Sequence, residues 1–117
     1  MSLAAVFDQA DPMSQVIFVH DYVQLVFQEL VLTVYSPITL TAGPTSIAKS
    51  DRNFCGHLVS LIGSRVESVA HFPRSELQLR FEGGIDLSVS LRSEDANGPE
   101  LFQVDRPGFP ILVEQDI

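Results

Sequence analysis

The side chains of this 117-residue chain that could transfer protons, attack as nucleophiles or bind metal are few: three histidines, one cysteine and scattered carboxylates. General acid–base work needs a pair of such groups within hydrogen-bond reach. A hydrolase or isomerase site would therefore require several of His20, Asp21, His71 and Glu100 to converge. His20, His57 and His71 lie far apart, with neither His-x-x-x-His nor Cys-x-x-Cys spacing, so no metal is expected. His57 stands two positions after Cys55, and on a helix such residues face apart. Cys55 itself falls on an apolar helix face and reads as a small core residue rather than a nucleophile. Ser46-Ile47-Ala48-Lys49 matches the Ser-x-x-Lys element of penicillin-recognising enzymes, but the Ser-Asp-Asn and Lys-Thr-Gly elements are missing. The match reads as chance. There is no Gly-x-Ser-x-Gly, no Gly-x-Gly-x-x-Gly and no phosphate loop. No catalytic residue and no cofactor are expected.

Binding without reaction is the remaining chemistry. Asp21-Tyr22, at the tip before an apolar strand, has the makings of an interface anchor, a Tyr beside an acid; a Tyr that merely covers a sheet end fits equally. Glu94, Asp95 and Glu100 crowd a polar loop, either to meet a basic partner or metal or simply as solvated acids. Fifteen acids oppose seven bases, for a net charge of −8, and residues 1–48 hold no Lys or Arg. From Glu94 onward six acids face Arg106 alone. Phosphate contact needs clustered Lys and Arg, so nucleic acid and anionic membranes are disfavoured as partners. A basic protein partner is favoured by steering, and the plainer reading is that the acids keep the domain soluble.

These groups need a scaffold, and the chain is long enough for one domain, 1–117, with one core. Its 45% apolar fraction and eight Phe are those of a globular protein. No apolar run reaches the ~18 residues of a membrane helix. No secretory signal is visible and a lone Cys cannot form an intrachain disulfide, so the cytoplasm is the expected location.

The strand pattern is written twice. Ser14-x-Val16-x-x-Val19, Gln24-Leu25-x-Phe27 and Leu32-Thr33-Val34 return in the same order as Ser64-x-Val66-x-x-Val69, Gln78-Leu79-x-Phe81 and Leu87-Ser88-Val89, an internal repeat of 14–36 with 64–92. In the second unit Leu77, Leu79 and Phe81 alternate with Gln78, Arg80 and Glu82, Gly83-Gly84 turns the chain, and Ile85 to Leu91 alternate again. Arg80 and Glu82 share a face with Asp86 and Ser88, where charges should pair across the strands. In the first unit the turn falls on Gln28-Glu29, poor residues for positive φ, so either the hairpin loop is wider than two residues or the chain passes through one bent strand; the hairpin is preferred. Ile38 to Ser46 reads as a strand end and a loop. A helix over about 51–62 follows, capped by Ser50 or Asp51, with Phe54, Cys55, Leu58, Leu61 and Ile62 on its apolar stripe and Gly63 after its end. Leu101 to Asp105 and Ile111 to Val113 are the last strands, the second placed at an edge by Pro110. The sum is seven or eight strands and one helix. The expected class is α+β, mainly antiparallel sheet built of two repeated hairpin units, curled toward a barrel, with one helix between them.

This order of elements resembles a group of small bacterial single-domain proteins. The residues that carry the resemblance are Val16 and Val19, Asp21-Tyr22-Val23-Gln24-Leu25-Val26-Phe27, Leu58-Val59-Ser60-Leu61-Ile62-Gly63, Val66 and Val69, Leu79-Arg80-Phe81-Glu82-Gly83-Gly84, and Gly98-Pro99-Glu100. The chain departs from that pattern at Gln28-Glu29, where the group carries Gly. The resemblance implies an immunity-type protein of the kind that accompanies bacterial toxins, and it brings no catalytic residues with it. Three functions stand on this reading: a non-catalytic interaction protein with an acidic surface, a small-molecule-binding β domain, and a minor hydrolase or isomerase. Self-association into a homodimer through a sheet edge or face fits each of them.

Overall fold

In the computed structural model, which describes residues 2–116, a short helix α1 (Leu3–Phe7) precedes three strands, β1 (Gln15–Val19), β2 (Tyr22–Phe27) and β3 (Leu30–Val34). After β4 (Ile38–Ala42) and β5 (Thr45–Ala48) comes the helix α2 (Phe54–Val59). Then follow β6 (Val66–Phe72), β7 (Glu76–Phe81), β8 (Ile85–Ser90), a 3-10 turn at Ser93–Asp95, β9 (Glu100–Asp105) and β10 (Leu112–Gln115). The strands divide into two antiparallel sheets, ordered β1-β2-β3-β9-β10 and β5-β4-β8-β7-β6. The architecture is mainly antiparallel sheet with two short helices, ten strands in place of the seven or eight expected.

Period-2 alternation builds the core. Leu25, Phe27, Leu32, Val34, Phe102 and Val104 from the first sheet meet Leu40, Leu77, Leu79, Phe81, Leu87 and Val89 from the second in one buried cluster. The rings of Phe27 and Phe81 stack with centroids 6.2 Å apart. Truncating a buried Phe of this kind costs about 3–5 kcal/mol. The outer faces differ. On the second sheet Thr41, Asp86 and Arg80 lie in one register row, and the Arg80 guanidinium grips the Asp86 carboxylate through two bonds of 2.8 Å. On the first sheet the corresponding row runs Ile17, Gln24, Thr33, Gln103, Val113.

Several sequence expectations are corrected. The 38–46 stretch is a hairpin, β4 paired to β5, because Gly43 adopts φ +60° and turns the chain in two residues with Pro44. Thr39, Thr41, Thr45 and Ser46 are polar, which masked the alternation from which the strands are built. The helix is 54–59, not 51–62. Asp51 is drawn off to the end of β5, where its carboxylate accepts the Ala48 N–H at 2.7 Å, and Asn53 at the N-cap makes no side-chain bond. Phe54, Leu58 and Leu61 dock in the core, whereas Cys55 and Ile62 are exposed. Cys55 is therefore not a core residue: the short helix presents only one narrow stripe to the sheets. The first hairpin forms, but its turn is two residues and not wider, since Phe27 pairs with Leu30 and Gln28 takes φ +61°. The second is looser than two residues, with Phe81 paired to Ile85 and Gly83 and Gly84 both at positive φ.

Two arginines fix the N-terminal segment. Arg106 Nη1 donates to the carbonyls of Val6 and Asp8 at 2.6 and 3.0 Å, and Arg65 Nη1 donates to that of Ala10 at 3.0 Å. Phe7 then stands edge-on to Phe27, 5.8 Å between centroids. No helix among the described residues is long and apolar enough to cross a membrane.

Candidate functional site

The turn between β1 and β2, the Tyr35–Ile38 link that carries the chain from one sheet to the other, Lys49, the start of α2 and the 97–100 segment border a groove of about 1120 Å3. Each arrives there for a local reason. The two-residue turn His20-Asp21 ends a hairpin whose strands pair Val19 with Tyr22. Pro37 cannot donate a ladder bond and breaks the strand where it changes sheet. Lys49 follows the last residue of β5, and Phe54 anchors α2 in the core. Buried Val34, Ile38 and Phe54 form the floor, with Phe18 and Val23 beside them. His20, Asp21, Tyr22, Lys49, Asn97 and Glu100 supply polar groups around the opening.

The aromatic wall is a pair. Tyr22 and Tyr35 lie 5.6 Å apart between ring centroids, tilted at 57°. Such contact holds both rings in place and leaves flat apolar surface with hydroxyls at its edge. His20 Nδ1 and Asp21 Oδ1 are 2.7 Å apart, and both side chains stand almost wholly in solvent. Asn97 Nδ2 donates to the Tyr35 carbonyl at 3.4 Å, tying the 97–100 segment to the link between the sheets.

Of the residues singled out in the sequence, Asp21, Tyr22 and Glu100 meet at this groove. Glu94 and Asp95 do not line it. Asp95 accepts from Ser90 Oγ at 2.6 Å and from Arg92 Nη2 at 2.9 Å, and these bonds, Ser90's first, hold its carboxyl below the usual range. Glu94 lies 3.8 Å from Arg92 Nε. The acid at 95 is thus spent on its own loop. Sequence reasoning did not find Lys49, Tyr35, Phe54 or Asn97. Of these, Phe54 entered only as part of the helix's apolar stripe and Lys49 only through the chance Ser-x-x-Lys match.

His71 is elsewhere. Its Nε2 lies 2.6 Å from Glu114 Oε1, and its ring meets Phe102 edge-on at 5.7 Å, at a second hollow of about 660 Å3 beside α1. The contact joins β6 to β10, the edge strands of the two sheets. His71 therefore stands apart from His20, Asp21 and Glu100, which border the groove, and of those three only His20 and Asp21 are joined by a hydrogen bond. Among the described residues no group of three His, Cys, Asp or Glu is placed to hold a metal ion. Ser46 lies on β5 with its Oγ 3.3 Å from Thr41 Oγ1.

Compared with known proteins, the chain matches no family model, no curated protein and no solved structure.

Proposed function

We propose that this chain is a non-catalytic, cytoplasmic interaction protein of immunity-like type, whose groove receives a basic, partly apolar segment of a partner protein. The observation that carries the reading is the meeting of Asp21, Tyr22 and Glu100 over the floor of Val34, Ile38 and Phe54. Two carboxylates against the one ammonium of Lys49 leave the opening net negative. An apolar anchor enters the floor while its cationic neighbour meets the acids, the usual division of labour at an interface. The net charge of −8 steers the same partner from a distance. The 14–36 and 64–92 segments are read, in the same proposal, as two copies of one block, supported by the three-strand path that each follows.

A titration followed by amide chemical shifts tests this with three peptides of equal length, basic, neutral and acidic, each carrying one Leu. The basic peptide should shift Asp21 to Val23 and Glu100, and combined Asp21→Asn and Glu100→Gln should weaken it by about tenfold, or ~1.4 kcal/mol. Equal response to all three peptides, or shifts confined to other surfaces, refutes it. The groove's volume favours a second reading, a small-molecule-binding domain, since apolar clefts with a few polar groups hold such ligands. An uncharged aromatic compound that shifts the same amides, where the basic peptide does not, decides for it.

A further inference from the structure

Four strands stand at sheet edges, and three of them are guarded. β10 follows Pro110 and its register breaks at Glu114/Gln115. β5 has four residues, with Pro44 before it and Lys49 after. β6 breaks register at Val66/Ser68, carries Glu67, and has α1 packed on it. Charges, prolines, bulges and covering helices are the devices that keep edges from pairing. β1, Gln15-Val16-Ile17-Phe18-Val19, has no charge, proline or register break within the strand, and the short α2 beside it leaves its side chains in solvent. Its side chains Ile17, Phe18 and Val19 are 38, 44 and 41% exposed.

The backbone of that edge can be specified. The two-residue turn His20-Asp21 closes on the pair Val19–Tyr22, so Val19, Ile17 and Gln15 bond to β2. Val16 and Phe18 then direct their N–H and C=O groups outward. Beside them the helix segment adds apolar surface. Cys55, Val59 and Ile62, spaced i, i+4, i+7, are all exposed, and α2 packs beside β1.

We propose that the occupant of this edge is a second copy of the chain, with β1 paired to β1 in antiparallel fashion about Ile17, so that the first sheet becomes a continuous ten-stranded sheet. That register places Val16 of each copy opposite Phe18 of the other and uses both outward-facing residues on each strand, four backbone bonds in all. Gln15 falls opposite Val19, and no acid falls opposite an acid. A basic partner gains nothing here, because β1 has no carboxylate; a neutral strand suits its own copy in a molecule that otherwise repels itself. The contact is at the small end of specific interfaces, so the dimer depends on concentration.

Sedimentation equilibrium of the Cys55→Ser chain, from low to high micromolar concentration and without any peptide, tests the assignment apart from the groove. A reversible dimer is expected, weakened at least about tenfold by Ile17→Lys and by Ile62→Glu. In the Cys55→Ser background Ile17→Cys should form an interchain disulfide on oxidation, since facing residues of a non-hydrogen-bonded pair lie about 4.5 Å apart at Cα. A monomer at every concentration overturns the proposal. So does a dimer that survives Ile17→Lys with unchanged circular dichroism, or one in which Ile17→Cys fails to cross-link.

Discussion

The Arg80–Asp86 pair shows what a single residue pair contributes here and under what conditions. Hydrogen bonding from Arg80 holds the Asp86 carboxyl below its ordinary value. A carboxylate whose folded value is depressed stabilises the protein above the unfolded value, near 3.9, and loses that contribution as pH falls toward the folded one. Asp86→Asn should therefore lower stability modestly at neutrality, since the exposed guanidinium is well screened, and flatten the acid limb so that the two chains converge below about pH 4. Thermal midpoints measured along a pH series check this. The pair was legible in the sequence because the alternation around Gly83-Gly84 put both residues on one face. The pairing of Asp95 with Arg92 and Ser90 was not, since loop side chains choose partners by geometry that no period encodes.

At the scale of elements, the turn at Gln28-Glu29 departs from what its residues prefer. Gln28 sits at φ +61°, a left-handed conformation that costs a side chain-bearing residue about 1–2 kcal/mol. The strands on either side, Leu25 with Leu32 and Phe27 with Leu30, are buried and fix the register, so the turn must comply. Gln28→Gly should raise stability by about 0.5–1 kcal/mol, the relief of strain being partly offset by the looser unfolded chain, as read from chemical denaturation. This is why the hairpin could be read from its strands while its turn could not. The same competition explains the helix: Asp51 serves β5 instead of capping α2, and helical spacing from Phe54 to Ile62 outran the residues that keep a helical backbone. Conversely, Thr-rich β4 and β5 carried too little apolar contrast to announce themselves.

At the scale of the whole molecule, the ends of the chain are fastened to each other. Arg106, next to β9, binds carbonyls of Val6 and Asp8 and lies over Phe109 at 5.3 Å. Arg106→Met keeps most of the side-chain volume and removes both bonds, and should cost about 2 kcal/mol. Hydrogen exchange of residues 3–10 should quicken ahead of the rest of the chain. The groove belongs to this scale too. Asp21, Lys49, Phe54 and Glu100 come from four separate stretches, and only the change of sheet at Pro37 brings them to one opening, which is why two carboxylates and a Tyr could be named beforehand but their neighbours could not. One feature of the topology also governs how the protein is made. The second sheet is drawn from a single continuous stretch, β4 to β8, whereas β3 must wait for β9, Thr33 pairing with Gln103 seventy positions later (33 to 103). On a ribosome the second sheet can therefore assemble while the first stays unfinished, one side of β3 bare until β9 has emerged, and topology of this kind slows folding.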